Sequence, residues 1–346
     1  MARVTAFRVV AAAAGRVWRA PAILIGVWVT TLAAALPLMF VVHSDIARHL
    51  GSSLEAETVA SGANHDWMLE FAEQSSGVSA TFTPSVIGFA STLDNVNAFI
   101  EGEARPLAIA AVAAGAALLW TFLAGGIIDR YARDRRIGSR GFFQACGGSF
   151  WPLLRLGLLS AVIYAALLTS WRPWLLGTVY DRLTRDVSAE RVAFAVRLVL
   201  YVAVIVPLAA CNLIVDYAKV RTVVEDRLSA IGALRAAVGF VRRHAVGSIG
   251  VYTCNWLVLV LVVLAYAAVD PGAGSTGASM WMGLAVGQAY IVARLWTKLL
   301  FWGSAVEWFL TRLAHSGYAA RRLLARPEPA VVEQVVRPGS LDDVPR

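Results

Sequence analysis

Hydrophobic positions in this chain gather into six long runs: Pro21–Val42, Leu107–Ile128, Leu154–Leu176, Leu198–Val215, Val246–Val269 and Met280–Leu300. Each run holds between 18 and 24 residues. An α-helix needs about 20 residues to cross a hydrocarbon layer ~30 Å thick, at ~1.5 Å per residue. A water-soluble core has no use for six such runs. The pattern therefore predicts an all-α, polytopic transmembrane bundle of six spans, set out as three hairpins with amphipathic elbow helices at the interface.

Between the runs the pattern turns amphipathic. Residues 1–20 set Arg3, Arg8, Arg16 and Arg19 among Val, Ala, Phe and Trp18, which predicts a cytoplasmic interfacial helix. In the outer segment 43–105, residues 63–74 and 84–100 read as two amphipathic helices. The second opens on Thr83 and Pro84 and places Val86, Phe89, Leu93, Val96 and Ile100 on one face. The inner segment 216–246 repeats Val220, Val224, Leu228, Ile231, Leu234, Val238 and Val241 at helical spacing, with Arg221, Glu225, Arg235, Arg242 and Arg243 off that stripe. This describes an elbow helix whose basic side suits anionic headgroups. The membrane domain thus covers 21–310, and 311–346 forms a cytoplasmic tail expected to be disordered from about 327. Within the spans, Pro37 marks a point where the first helix can kink, and Ala111 with Gly115 forms a small-xxx-small pair suited to close helix contact.

Composition sharpens the picture. The chain is 58% hydrophobic and only 16% charged. Its net charge of +8 would suit nucleic acid if gathered on one surface, but it is not. Segment 43–105 carries two basic residues against nine acids, 129–155 six Arg against two Asp, and 216–246 six basic residues against three acids. That is the positive-inside pattern with both termini cytoplasmic, pointing away from nucleic acid, and the high Ala, Arg and Val usage with no N-x-S/T acceptor fits a bacterial inner membrane. The short loop around Asp181–Arg191, assigned outside without an acidic excess, is the exception. Tryptophans near the ends of the runs (Trp18, Trp151, Trp171, Trp174, Trp281, Trp302 and Trp308) fit an interfacial belt. The three cysteines, Cys146, Cys211 and Cys254, fall outside the outer segments and are expected as free thiols. The first run, 22 residues long, reads as a retained anchor rather than a cleaved signal.

An internal repeat also emerges. The second span leaves the membrane as Asp129-Arg130-Tyr131-Ala132-Arg133 and the fourth as Asp216-Tyr217-Ala218-Lys219. Each is followed by an amphipathic stretch and a Gly-aromatic-Arg return, at Gly141-Phe142-Phe143 to Arg155 and at Gly239-Phe240 to Arg243. Gly15-Arg16-Val17-Trp18-Arg19 repeats that return a third time. Over roughly 107–310 these features resemble bacterial six-span membrane proteins of unknown function. They are also similar to the membrane domain attached to some glycerophosphodiester phosphodiesterases. The resemblance implies a multi-pass inner-membrane protein; no phosphodiesterase catalytic domain is present, so no catalytic residue follows from it.

Candidate chemistry is sparse. Arg294 and Lys298 lie four residues apart on the last run, with Gln288 and Tyr290 earlier in the same helix. Such cations could bind an anionic headgroup or substrate, or could simply snorkel to the inner interface. Asp129 and Asp216 end two inner spans; they read as a polar pair on an ion path or, singly, as partners of Arg133 and Lys219. Asn212 and Asn255 could hydrogen-bond between helices. The outer histidines His43, His49 and His65 lack metal-ligand spacing, and no phosphate loop or nucleophile elbow occurs. The expectation is a non-catalytic integral membrane protein without a cofactor, whose partners are membrane lipids and, in a complex, other membrane proteins. The alternative is a transporter or permease for a small or amphiphilic anionic substrate.

Overall fold

The computed structural model describes residues 5–51, 53, 55–61, 64–82, 97–98, 101, 107–134, 138–270 and 277–313; among them the chain is helical and no strand occurs. Of the expected helix 84–100 only residues 97 and 98, both helical, are described; the rest of it and the tail beyond 313 lie outside the described residues.

Helix α1 spans Ala6–Trp18 and α2 spans Pro21–Leu50. Proline at the first position of α2 forfeits an N–H that would be unpaired there anyway. Pro37 is carried within this one continuous helix, which runs past Val42 and leaves the apolar run as a post. Short helices α3 (Ala56–Ser61) and α4 (His65–Gln74) follow. Asn64 caps α4 by accepting from the Trp67 N–H at 3.0 Å. Trp67, Met68 and Phe71 then pack onto Ile46 and Leu50 of the post, so the amphipathic helix expected at 63–74 docks on the protein.

Helix α5 is Leu107–Arg133. Helix α6 begins at Ser139 and continues through π-helical stretches at Leu167–Trp171 and Trp174–Val179 to Thr184, a rod of 46 residues. Pro173 stands between the two stretches. Its missing N–H and its ring's clash with the carbonyl four residues back account for the widened hydrogen-bond register. Helix α7 is Glu190–Val224, α8 Ala230–Arg243, α9 Ala245–Val269 and α10 Ala278–Leu313.

Five helices, α2, α5, α6, α7 and α9, are long and apolar enough to cross a membrane. They expose large apolar side chains such as Val162 (67%), Phe194 (71%) and Val199 (66%), a surface that water would penalise and lipid would not. The sixth run is helical too, within the 36 residues of α10, but Gln288, Arg294 and Lys298 dilute its apolarity and it is not among the five.

The dense packing lies at the end of the bundle where α5 and α7 terminate and α9 begins. Among the described residues, Val27 is the one fully buried position of α2, and the buried residues of α9, Ser248, Val251 and Asn255, all fall in its first three turns. There α10 contributes Leu299, Leu300, Val306 and Phe309, α5 contributes Ile127, Ile128 and Tyr131, and α1 contributes Val9, Ala13 and Val17. Helices α9 and α10 run antiparallel, as the pairs Ser248–Trp308, Asn255–Ser304, Tyr252–Phe301 and Tyr266–Tyr290 show.

Three expectations gain detail or change. Helix α1 packs the face bearing Val9, Ala13 and Val17 onto the bundle, where Arg16 donates to the Tyr131 carbonyl at 2.6 Å and pairs with Glu307, and it leaves Phe7 and Trp18 exposed. The inner elbow is not one helix, because α7 continues to Val224 and the chain turns at Asp226 (φ 50°) before α8. The buried face of α8 is two small residues, Ala233 and Ala237, with Phe240, while Leu228 (74%) and Ile231 (64%) from the expected stripe are exposed. Small residues bury here because they let α8 approach its neighbours closely. The third change concerns α5. A Cβ on Gly115 would meet nothing within 4 Å, whereas Gly126 sits against Phe142 and Cys146 of α6, so the close contact uses Gly125-Gly126 instead of Ala111 and Gly115.

Candidate functional site

Helix α10 positions the four residues singled out from the sequence, and the fold divides them. Gln288 accepts a hydrogen bond from the Trp28 indole N–H at 3.0 Å, tying α10 to α2. Tyr290 stacks on Tyr266 of α9, with ring centroids 4.0 Å apart and planes at 9°. Arg294 lies over the Tyr290 ring at 5.6 Å from its centroid. Gln288 and Tyr290 are thus spent on helix contacts, which leaves Arg294 and Lys298 as the remaining candidates of the four.

Lys298 turns toward a different set of residues. Its ammonium stands 3.4 Å from the centroid of Trp120 on α5 and 6.0 Å from that of Trp302, one turn further along α10. The two indoles meet edge-on at 5.6 Å. Lys219 of α7 lies 5.6 Å from the Trp302 centroid and 2.9 Å from the Asp216 carboxylate. Two ammonium groups, two indoles and one largely buried carboxylate therefore form a shelf where α5, α7 and α10 meet. Ring quadrupoles attract the cations while leaving their N–H groups free to donate to an anion.

Asp129 and Asp216 each bind a cation from their own helix, Asp129 to Arg133 at 2.8 Å and Asp216 to Lys219 at 2.9 Å. The singly structural reading of these acids fits, with one addition: Asp216 belongs to the shelf. Tyr131 and Tyr217, equivalent in the repeat, are 1% and 2% exposed, so both exit motifs bury the tyrosine and pair the aspartate.

The polar residues within the apolar runs bond to one another. Asn212 donates to the Tyr252 hydroxyl at 2.7 Å and accepts from the Tyr164 hydroxyl at 3.4 Å, joining α6, α7 and α9. Asn255 donates to Ser304 at 2.6 Å. In the segment after the first apolar run, the Trp67 indole donates to His49 Nδ1 at 3.1 Å, so His49 is engaged in aromatic packing. Among the described residues no group of three or more His, Cys, Asp or Glu could hold a metal ion.

A second concentration of positive charge was not picked out from the sequence. A cavity of about 570 Å³ lies between the α1–α2 turn, the first turns of α2, the end of α5 and the start of α6, with Arg19 and Arg130 in its wall. Trp120 and Arg130 carry no local signature; they gain meaning only once α5 is placed beside α10 and α2. No known protein family, curated protein or solved structure matches this chain.

Proposed function

We propose that the chain is a six-span, non-catalytic protein of the bacterial inner membrane that binds anionic lipid headgroups along its cytoplasmic rim. In this reading α10 is the sixth span, both termini are cytoplasmic, and the hairpins are α2–α5, α6–α7 and α9–α10. The antiparallel pairing of α10 with α9 supports a common depth for the two helices. The resemblance to six-span inner-membrane proteins points the same way. The observation that carries the functional reading is the exposed Lys298, whose ammonium rests on Trp120 beside Lys219 and Trp302. Lysine on an indole at a span end is suited to a phosphate in the headgroup layer. The mutual bonding of Gln288, Asn212 and Asn255 with neighbouring helices also suits a scaffold. Mass spectrometry of lipids co-purified with wild type and with R294A/K298A tests this. Loss of anionic lipid from the variant is expected, and unchanged lipid content would count against the rim as the binding site.

Transport of a small or amphiphilic anion is the second reading. It is favoured by the Tyr164–Asn212–Tyr252 chain within the spans and by the π-helical break around Pro173, since such breaks recur at functional sites. Protein-dependent flux of organic anions into proteoliposomes, abolished by N212A, would move the assignment to this reading.

A further inference from the structure

The cavity beside α2 has the form of a one-lipid site. Its cationic end lies at the α1–α2 turn, where Arg19 and Arg130 line it. Arg130 is only 9% exposed, and its carboxylate neighbour among the described residues is Asp134, 4.0 Å away. Asp134, in the left-handed region at φ 46°, gives its closer contact to Arg19, at 3.2 Å. A buried guanidinium is thus held without a tight counter-ion in the wall of a cavity, a costly arrangement unless an anion completes it. The N-terminus of α2 opens on the same space, and its N-cap residue, Ala20, provides no side-chain acceptor. That adds the positive end of a helix dipole to the two arginines.

Apart from Ser139 and Thr30 the rest of the wall is apolar: Ile23, Val27, Leu123, Phe142 and Phe143 carry it away from the arginines toward Thr30. From Ala20 to Thr30 is ten residues of chain, so the cavity reaches ~15 Å along α2, about the hydrocarbon depth of one leaflet. Phe143 in its wall is 55% exposed, as a side chain in contact with an acyl chain would be. A volume of about 570 Å³ falls within the usual ~300–1,000 Å³ of small-molecule sites. A free phosphate would leave most of this apolar volume unfilled.

We infer that this cavity binds one anionic phospholipid of the cytoplasmic leaflet, its phosphate on Arg130 and Arg19 and an acyl chain along α2. The inference rests on the lipid-binding reading and gives it a site separate from the Lys298 shelf. Gly26 offers a clean test, because a Cβ there would meet nothing within 4 Å although the residue lines the cavity. G26F should fill the space without disturbing the fold.

The experiment measures the thermal stability of the full chain in detergent, titrated with phosphatidylglycerol, with phosphatidylcholine of the same chains, or with inorganic phosphate. Wild type should be stabilised by phosphatidylglycerol far more than by the other two. R130Q should weaken the phosphatidylglycerol response about tenfold or more, the usual scale for losing a charged hydrogen bond. G26F should lose as much of that response as R130Q does while melting normally without added lipid. If R130Q and G26F both respond like wild type, this site is wrong while lipid binding itself stands. If wild type does not distinguish phosphatidylglycerol from phosphatidylcholine, the lipid-binding reading itself fails. A full response to phosphate alone that survives in G26F would overturn the lipid as occupant.

Discussion

The contact between α5 and α6 gives the sharpest test of the packing. At Gly126 an added Cβ would stand 2.8 Å from a Phe142 ring carbon and 2.9 Å from the Phe142 carbonyl oxygen, and 2.5 Å from Cys146 Sγ. Non-bonded carbon atoms settle at about 3.5–4.0 Å, so α6 must retreat by roughly 1 Å along a stretch that also bears Ser149 against Gly125. Overpacking of this kind costs about 1–3 kcal/mol. Alanine's helix preference over glycine returns up to ~1 kcal/mol. The balance for G126A is a destabilisation of up to about 2 kcal/mol, and of about 1–3 kcal/mol relative to a glycine-to-alanine change on the same helix without the clash. Gly115 lies on the same helix, and a methyl group added there would have nothing within 4 Å, so G115A should be neutral or slightly stabilising. Adding C146A to G126A removes one of the three close contacts but leaves both Phe142 atoms, so rescue should be partial. Reversible unfolding in mixed detergent micelles, followed by the tryptophan fluorescence of Trp120 and Trp151, reports on both helices. If G126A matched G115A in stability, the α5–α6 interface would not be where the structure puts it.

Three further outcomes are expected. On a background lacking Cys146, Cys211 and Cys254, a membrane-impermeant thiol reagent should label S75C from outside intact cells and S229C only after permeabilisation; the reverse pattern would invert the orientation. Burial alone would raise the Glu225 carboxyl, but hydrogen bonds from Arg221 and Arg227 outweigh it and hold the group below the ordinary carboxylate range. Its contribution to stability is therefore complete above pH ~4.3 and is lost as pH falls through the depressed value of the folded state. Acid melts should show a loss in wild type that is smaller in E225Q. S304A deletes the partner of Asn255, which is 2% exposed, and should cost about 0.6 kcal/mol or somewhat more in the same micelle assay, because Asn255 stays buried.

The helices were largely legible in the sequence because lipid asks for so little: a long enough run of apolar residues in a backbone that bonds to itself. All six runs are helical, and the five suited to crossing a membrane were visible as runs. The ends were not, since no proline or glycine interrupts α2 or α7 between the end of its apolar stretch and its last residue, Leu50 or Val224, and Gly51 caps α2 only there. Side-chain partners were legible only where they are local, as in Asp129–Arg133 and Asp216–Lys219. Lys298 was singled out as a cation in an apolar run, but its contact with Trp120 joins residues far apart in the chain. The elbow misled for a related reason: in lipid, an exposed Leu228 or Ile231 is as comfortable as a buried one, so an apolar stripe no longer marks the packed face.

The same indifference of lipid to apolar faces explains where the molecule is held together. Apolar association between helices gains little inside hydrocarbon, so cohesion must come from close backbone approach and polar or aromatic contacts. Both are concentrated at one end of the bundle. Gly125-Gly126 bring α5 onto α6, a methyl at Gly247 would overlap the Trp308 ring, and Gly303 faces Ala13 of α1. Arg16 clasps the Tyr131 carbonyl and Glu307, binding α1 to α5 and α10 at once. With α1 fixed in this way, the turn at Arg19–Ala20 is fixed too, and with it one wall of the cavity that contains Arg130. The same clasp anchors the end of α10 beyond Lys298. Rigidity is therefore greatest where charged headgroups would be bound, and further along the spans cohesion rests on separate contacts such as Asn212–Tyr252, Tyr266–Tyr290 and the cluster of Leu175, Leu200, Val204 and Leu208.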